Sequence, residues 1–197
     1  MQIEFIGCAP GNFRAGRRRL KTNEAGQKQF QEFKPEAIVI HIAVASLGSV
    51  DNSFRNPKHK ASAHYCVGKT GSIHQYVKEE DTAFHAGVFD PAKGESQGNN
   101  FQSAPYIWSL LSSHLGVNTN LWTIGIEHEG LPDEEWTEEM YASSSQLISE
   151  ISQRWPIPLD GQHVVPHHWI HKSKACPGSK VSIAKLIELA STPPQIP

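Results

Sequence analysis

Apolar and polar positions alternate in blocks along this chain, and each block predicts an element. AIVIHIAVA, from Ala37 to Ala45, is a nearly continuous run of β-branched and small residues. Its length and composition predict a strand buried on both faces, with His41 set in its middle. LWTIGIEHEG (Leu121 to Gly130) predicts a second buried strand with Glu127 near its end, and HVV (His163 to Val165) a third, shorter one. AHYCVGKTGSIHQYV, Ala63 to Val77, reads as two strands joined by a tight turn at Lys69-Thr70-Gly71. SVDNSF is expected to form a short helix stopped by Asn56-Pro57.

Met140, Leu147, Ile148, Ile151 and Trp155 follow helical spacing. Thr137 can cap that helix, Glu138 and Glu139 suit its N-terminal dipole, and Pro156 ends it. A last helix is expected after Pro177-Gly178, with Ile183, Leu186, Ile187 and Ala190 on one side. Residues 1–36 show little periodicity and read as an extended lead-in packed on the main domain. Residues 90–120 are rich in Pro, Gly, Ser and Asn around YIWSLL, and read as a long surface excursion with a short helix, a substrate-facing lid or wall. The end, residues 191–197, is a Pro-rich tail. Alternating strands and helices predict one α/β domain over residues 37–190, a central mixed β-sheet flanked by helices.

The composition narrows the function classes. The 197 residues suit one domain with a real core, and 38% are hydrophobic. No apolar run approaches the roughly 18 residues that span a bilayer, so no membrane partner is expected. Eighteen basic against twenty acidic side chains argue against a nucleic-acid binder held by phosphates. The single basic run, RRRLK from Arg17 to Lys21, reads as a solvated segment. Three scattered cysteines, Cys8, Cys66 and Cys176, do not make a disulfide framework. The start lacks the charged and apolar regions of a secretory signal. Either the protein is made for the cytoplasm, with any contact with a cell wall following release, or a leader has been trimmed.

With eleven histidines in the chain, only context can promote one. His41 in a buried strand needs partners for its ring, and a core histidine bonded to backbone is the plain alternative. His167 follows a short strand in the same way, within HHWIHKSKACPG, and Cys176 comes nine residues later. Two imidazoles and a thiolate from strand ends would make a catalytic zinc shell with one position left for water. A competing reading makes Cys176 a thiol nucleophile with a histidine base. Lys174 suits a site that must stabilise an oxyanion. Glu127 is either a solvated strand-end carboxylate or a group facing the catalytic edge of the sheet.

The segments AIVIHIA, SAHYCVGKTGSIHQYV, DTAFHAG, NLWTIGIEHEG and VVPHHWIHKSKACPG resemble, in order, the zinc-dependent N-acetylmuramoyl-L-alanine amidases: phage lysins, muropeptide amidases and peptidoglycan recognition proteins. The resemblance implies a zinc groove on one face of a mixed sheet, in a monomer acting on peptidoglycan or muropeptide. It makes His41 the first zinc ligand and Cys176 the third, Glu127 the general base and Lys174 the oxyanion stabiliser. His85 would contact substrate from the groove, and His64 would line it. The second ligand is open between two registers. A histidine eight residues before the cysteine would be His168, whereas the strand, small residue and histidine pattern selects His167, which is preferred. The activity implied is hydrolysis of the amide between N-acetylmuramic acid and L-alanine; the alternative is a muropeptide-binding module without hydrolysis.

Overall fold

The β-branched runs end up side by side. In a computed structural model describing residues 2–86, 89–90, 95–96, 108–114, 117–170 and 174–192, a six-stranded mixed sheet forms the centre. Twelve strands are described: β1 (Ile3–Phe5), β2 (Phe13–Arg14), β3 (Arg18–Thr22), β4 (Lys28–Glu32), β5 (Ala37–Ile40), β6 (Tyr65–Val67), β7 (Ile73–Gln75), β8 (Thr82–Ala83), β9 (Phe89–Asp90), β10 (Glu95–Ser96), β11 (Thr123–His128) and β12 (Val164–Pro166). The helices are α1 (Leu47–Arg55), α2 (Ser109–Ser113), α3 (Glu138–Arg154) and α4 (Ile183–Ser191). The central sheet runs β1-β7-β6-β11-β5-β12. Only the β6–β7 hairpin is antiparallel; β6, β11, β5 and β12 are parallel, as is β1 to β7.

Side-chain alternation divides the core into two layers. Ile38 and Ile40 of β5, with Ile124 and Ile126 of β11, pack on one face with Met140, Leu147, Ile148 and Ile151 of α3 and Leu186 of α4. Ala37 and Val39 point the other way, towards Trp108, Leu121, Trp122 and Val165. A third cluster under α1 joins Val50 and Phe54 to Cys66 and Tyr76, where Cys66 serves as a small buried apolar residue. The capping chemistry is that of the sequence: the Thr137 hydroxyl accepts from the Met140 amide at 3.1 Å, and Ser46 and Ser182 cap α1 and α4 likewise.

Several expectations need adjustment. β5 stops at Ile40, so His41 stands just past the strand rather than in its middle, its amide still donating to the Ile126 carbonyl at 2.9 Å. The lead-in is more structured than its weak periodicity suggests. β1 extends the central sheet, β2 pairs with β8, and β3–β4 form a separate hairpin. The solvated reading of RRRLK fails at Arg17, which is 3% exposed. Its guanidinium donates to the carbonyls of Glu79, Asn120, Leu121 and Thr123 at 2.6–3.2 Å, a set of acceptors that exists only once the chain has folded. His74 of β7 is held at 2.9 Å by Asp51 of α1. Most of the 90–120 excursion, including Tyr106, lies outside the described residues, as do His171 and residues 193–197. Trp108 is buried, donating to the Gln162 carbonyl at 2.7 Å and packing on Trp122.

Removing the Arg17 guanidinium strands several buried carbonyls, each costing about 1–3 kcal/mol if left unpaired. Arg17→Met should therefore lower stability by at least about 2 kcal/mol in urea denaturation, whereas Arg18→Met at the exposed neighbouring position should stay within about 0.5 kcal/mol.

Candidate metal centre

β5 and β12 end at the same level, β11 runs two residues further between β5 and β6, and that register builds the site. Val165 lies beside Val39 and Pro166 beside Ile40, so the next residues on these chains are His167 and His41. Ile126 pairs with Ile40 on the other side, which sets Glu127 next to His41. All three follow residues of the helix-covered face by one position, so they emerge on the opposite face, at the carboxyl ends of the strands.

His41 and His167 are 1% and 4% exposed, with ring centroids 4.3 Å apart. Cys176 joins them from the loop before α4, its Sγ 3.6 Å from the Ile42 carbonyl. One donor atom from each of the three lies within 4.8 Å of the others. Tetrahedral zinc bonds of about 2.0 Å to nitrogen and 2.3 Å to sulfur hold such donors about 3.5 Å apart. The cluster is therefore within a small closure of a coordination shell, and its soft thiol with two imidazoles suits zinc. Burial, and then the neighbouring His167 and His85, hold the His41 pKa well below the usual imidazole value, which keeps the ring neutral as a ligand must be.

His168 faces elsewhere. A turn of 3-10 helix over His167–Trp169 carries its ring out to solvent, with Nδ1 2.8 Å from the Cys176 carbonyl. It braces the backbone of the cysteine loop, and His167 alone of the two turns inward.

Glu127 reaches the centre with Oε1 3.9 Å from His41 Nδ1. Its Oε2 is buried without a hydrogen-bond partner among the described residues. Burial pushes its pKa up to about 8, against the opposing pull of the Lys174 charge. Lys174 stands exposed at the rim. A groove of about 940 Å³ opens over the cluster, with His41, Glu127, His167, Lys174 and Cys176 in its lining. Burial also raises the Cys176 thiol. An activated thiol nucleophile needs the reverse shift, so the geometry disfavours the thiol reading.

His85 lines this groove, but its ring is buried with Nδ1 3.0 Å from His41 Nε2, so it backs the cluster. His64 does not line the groove. It is 0% exposed beneath β11, with the Arg17 guanidinium 2.8 Å from Nε2 and the Gly125 amide 3.0 Å from Nδ1. The Arg17 guanidinium and the Gly125 amide engage both ring nitrogens and hold His64 below the groove, so the expected groove-lining role is not what the structure shows. His128 is likewise a core pin, bonded to the His41 carbonyl and Ser144 hydroxyl and stacked on Trp136. Glu129 accepts from the Lys69 amide in the hairpin turn. Sequence reasoning missed Asn120, whose buried Oδ1 accepts the amides of both His85 and Ala86 at 3.1 and 2.8 Å. One asparagine before a strand offers no periodic signal that would have revealed it.

The model of the N-acetylmuramoyl-L-alanine amidase family matches residues 31–179. The chain belongs to that family. The chain is 28% identical over 142 residues to N-acetylmuramoyl-L-alanine amidase A of Achromobacter lyticus, covering 66% of the chain and 63% of that protein. It is 31% identical over 120 residues to 1,6-anhydro-N-acetylmuramyl-L-alanine amidase AmpD of Haemophilus influenzae, covering 60% and 53%. The matched part thus spans less than two thirds of either relative. A solved AmpD structure shares the fold with a TM-score of 0.64 at 20% identity, over 96% of this chain and 94% of that one. The catalytic domain of XlyA follows at 0.60 and 20%, over 96% and 99%.

The cysteine loop turns on Gly178, at φ +114°, where an added Cβ would meet the Pro132 carbonyl oxygen at 2.3 Å. Since backbone cannot give way cheaply, Gly178→Ala should cost about 1–3 kcal/mol, read as a lowered urea midpoint. It should also make the Cys176 thiol more reactive towards a thiol reagent.

Proposed function

We propose that this protein is a zinc-dependent amidase hydrolysing the bond between N-acetylmuramic acid and L-alanine in peptidoglycan or its muropeptide fragments. The observation that carries the reading is one juxtaposition: the donor atoms of His41, His167 and Cys176 within 4.8 Å of one another, with the buried, unpaired Glu127 carboxylate oxygen beside them on the floor of the groove.

His41, His167 and Cys176 would hold the ion, Cys176 as thiolate. Zinc bound there supplies Lewis-acid polarisation of the scissile carbonyl and acidifies the attacking water. The chain's own residues do the rest. Glu127 accepts the proton of the attacking water and returns one to the departing alanine amine. Its raised pKa suits both halves of that exchange, and a cation bound beside it favours the ionised form that starts the reaction. Lys174 presents its ammonium at the rim, where the developing oxyanion meets it. Burial of the cluster on the sheet side keeps water out of the interactions that orient these groups.

The alternative is a module that binds muropeptide without cleaving it, and one experiment separates the two. The zinc-loaded protein should release free amino groups from purified peptidoglycan or muropeptides. Glu127→Gln, with zinc confirmed at full occupancy, should reduce that turnover about 10²–10⁴-fold. If the wild-type chain binds muropeptide and releases no amine, it is a recognition module; equal turnover in Glu127→Gln removes the carboxylate from the chemistry.

The ligand set has its own test. Cys176→Ser and His167→Ala should each lose zinc on dialysis, measured by metal analysis, because a hydroxyl or methyl cannot replace thiolate or imidazole. His168→Ala should retain most of it. Zinc kept by His167→Ala and lost by His168→Ala would move the second ligand by one position.

A further inference from the structure

A histidine can ligate through only one nitrogen at a time, and the proton on the other decides which. For His41 that choice is traceable through three hydrogen bonds. The Thr123 hydroxyl donates its one proton to the Thr119 carbonyl at 2.7 Å. At its 3.2 Å contact with His85 Nε2 the same oxygen can therefore only accept, so Nε2 of His85 carries the hydrogen. His85 is 8% exposed, and neither Thr123 nor His41, its ring partners, is a carboxylate, so the buried ring carries a single proton. Its Nδ1 is then a lone pair. The 3.0 Å contact with His41 Nε2 is thus a bond in which His41 donates. What remains on His41 is an unprotonated Nδ1, the nitrogen on the Glu127 side.

This chain of bonds is held rigidly. Asn120 Oδ1 takes the amides of His85 and Ala86. Arg17 clamps the carbonyls of Asn120, Leu121 and Thr123 around the turn that carries Thr119 and Thr123. Gly125 makes room for the imidazole: a Cβ there would lie 2.4 Å from the His85 ring. The side chain of this glycine position is on the same face as Thr123 and Glu127, so its absence is what lets His85 lie against β11 and reach His41.

We propose that Thr123 and His85 form a one-directional hydrogen-bond relay that fixes His41 in its Nε2–H tautomer, so that Nδ1 is the nitrogen offered to the metal. Both are positioning residues: His85 acts through His41, and Thr123 through His85. The proposal rests on the zinc reading above and adds to it the residues that orient the first ligand. It also replaces the sequence-level expectation of His85 as a substrate contact with a role behind the ligand.

The test uses the full chain and zinc alone, with affinity measured by competition against a chelator and no assay of turnover. Thr123→Val keeps the shape but removes the acceptor for His85, and His85→Phe removes the acceptor for His41. Each should weaken zinc binding about 10- to 100-fold, the usual worth of a ligand's outer partner. Thr123→Ser restores the hydroxyl, and His85→Asn offers a carbonyl oxygen near the place of Nδ1; both should recover most of the affinity. Nuclear magnetic resonance of labelled imidazole nitrogens in the wild-type chain should find His41 Nε2 protonated before zinc is added and Nδ1 shifted afterwards. Unchanged affinity in Thr123→Val and His85→Phe with native circular dichroism would overturn the relay. So would a protonated Nδ1 on His41, a measurement that stands even if a variant fails to fold. A wild-type chain that takes up no zinc would instead sink the zinc reading itself, while the tautomer spectrum still reports on the relay.

Discussion

Everything at this site depends on the parallel register of β12, β5 and β11. Hydrogen bonding between neighbouring strands fixes which residues stand side by side, and the two-residue period fixes which face each one takes. Val39 beside Val165 and Ile40 beside both Pro166 and Ile126 leave no freedom in where His41, His167 and Glu127 emerge. A slip of one residue would turn the two imidazoles and the carboxylate into the helix-packed core and expose isoleucines in the groove. The apolar layer under α3 and α4 therefore does more than stabilise the sheet, because its burial is what enforces the register that brings His41, His167 and Glu127 together.

The opposite face of the sheet is unusually polar for a protein interior. His41, His64 and His85, with Arg17, Asn120 and Thr123, are all buried there, while His128 is buried on the α3 side. Uncharged rings with matched hydrogen bonds make this tolerable, since burial drives each imidazole pKa down and leaves a neutral ring. Arg17 is the exception, a buried cation whose guanidinium is surrounded by backbone carbonyls. It comes from outside residues 31–179, the part matched by the family model, yet it clamps the turn leading into β11. The N-terminal segment is thereby tied to the centre of the molecule by hydrogen bonds as well as by the apolar packing of Ile3, Ile6 and Phe13.

The two readings of Cys176 part on electrostatics. A nucleophilic thiol is kept ionised by a neighbouring cation or helix N-terminus. Here burial raises the thiol instead, and the charge of the nearby Lys174 does not reverse that shift. A thiol of that kind gives up its proton when a metal ion offers a stronger interaction. The raised Glu127 carboxyl fits the same scheme, as a group whose charge state responds to what binds beside it.

Much of this was legible in the amino-acid order. The apolar runs AIVI, TIGI and VV determine three buried strands, with His41, Glu127 and His167 in or beside them. The spacing of Met140, Leu147, Ile148 and Ile151 determines α3, and Thr137 its start. Local chemistry was enough for those elements, because each depends on neighbours in the chain. Only the tertiary structure decided which strands adjoin, and hence that Cys176 meets two histidines. It alone turned His64 inward, set His85 behind His41 and buried Arg17 from a run that reads as solvated. Those placements rest on carbonyls and ring nitrogens brought from distant parts of the chain, as with Arg17 and Thr123, 106 residues apart. No local pattern encodes an acceptor that exists only after the backbone has folded around it.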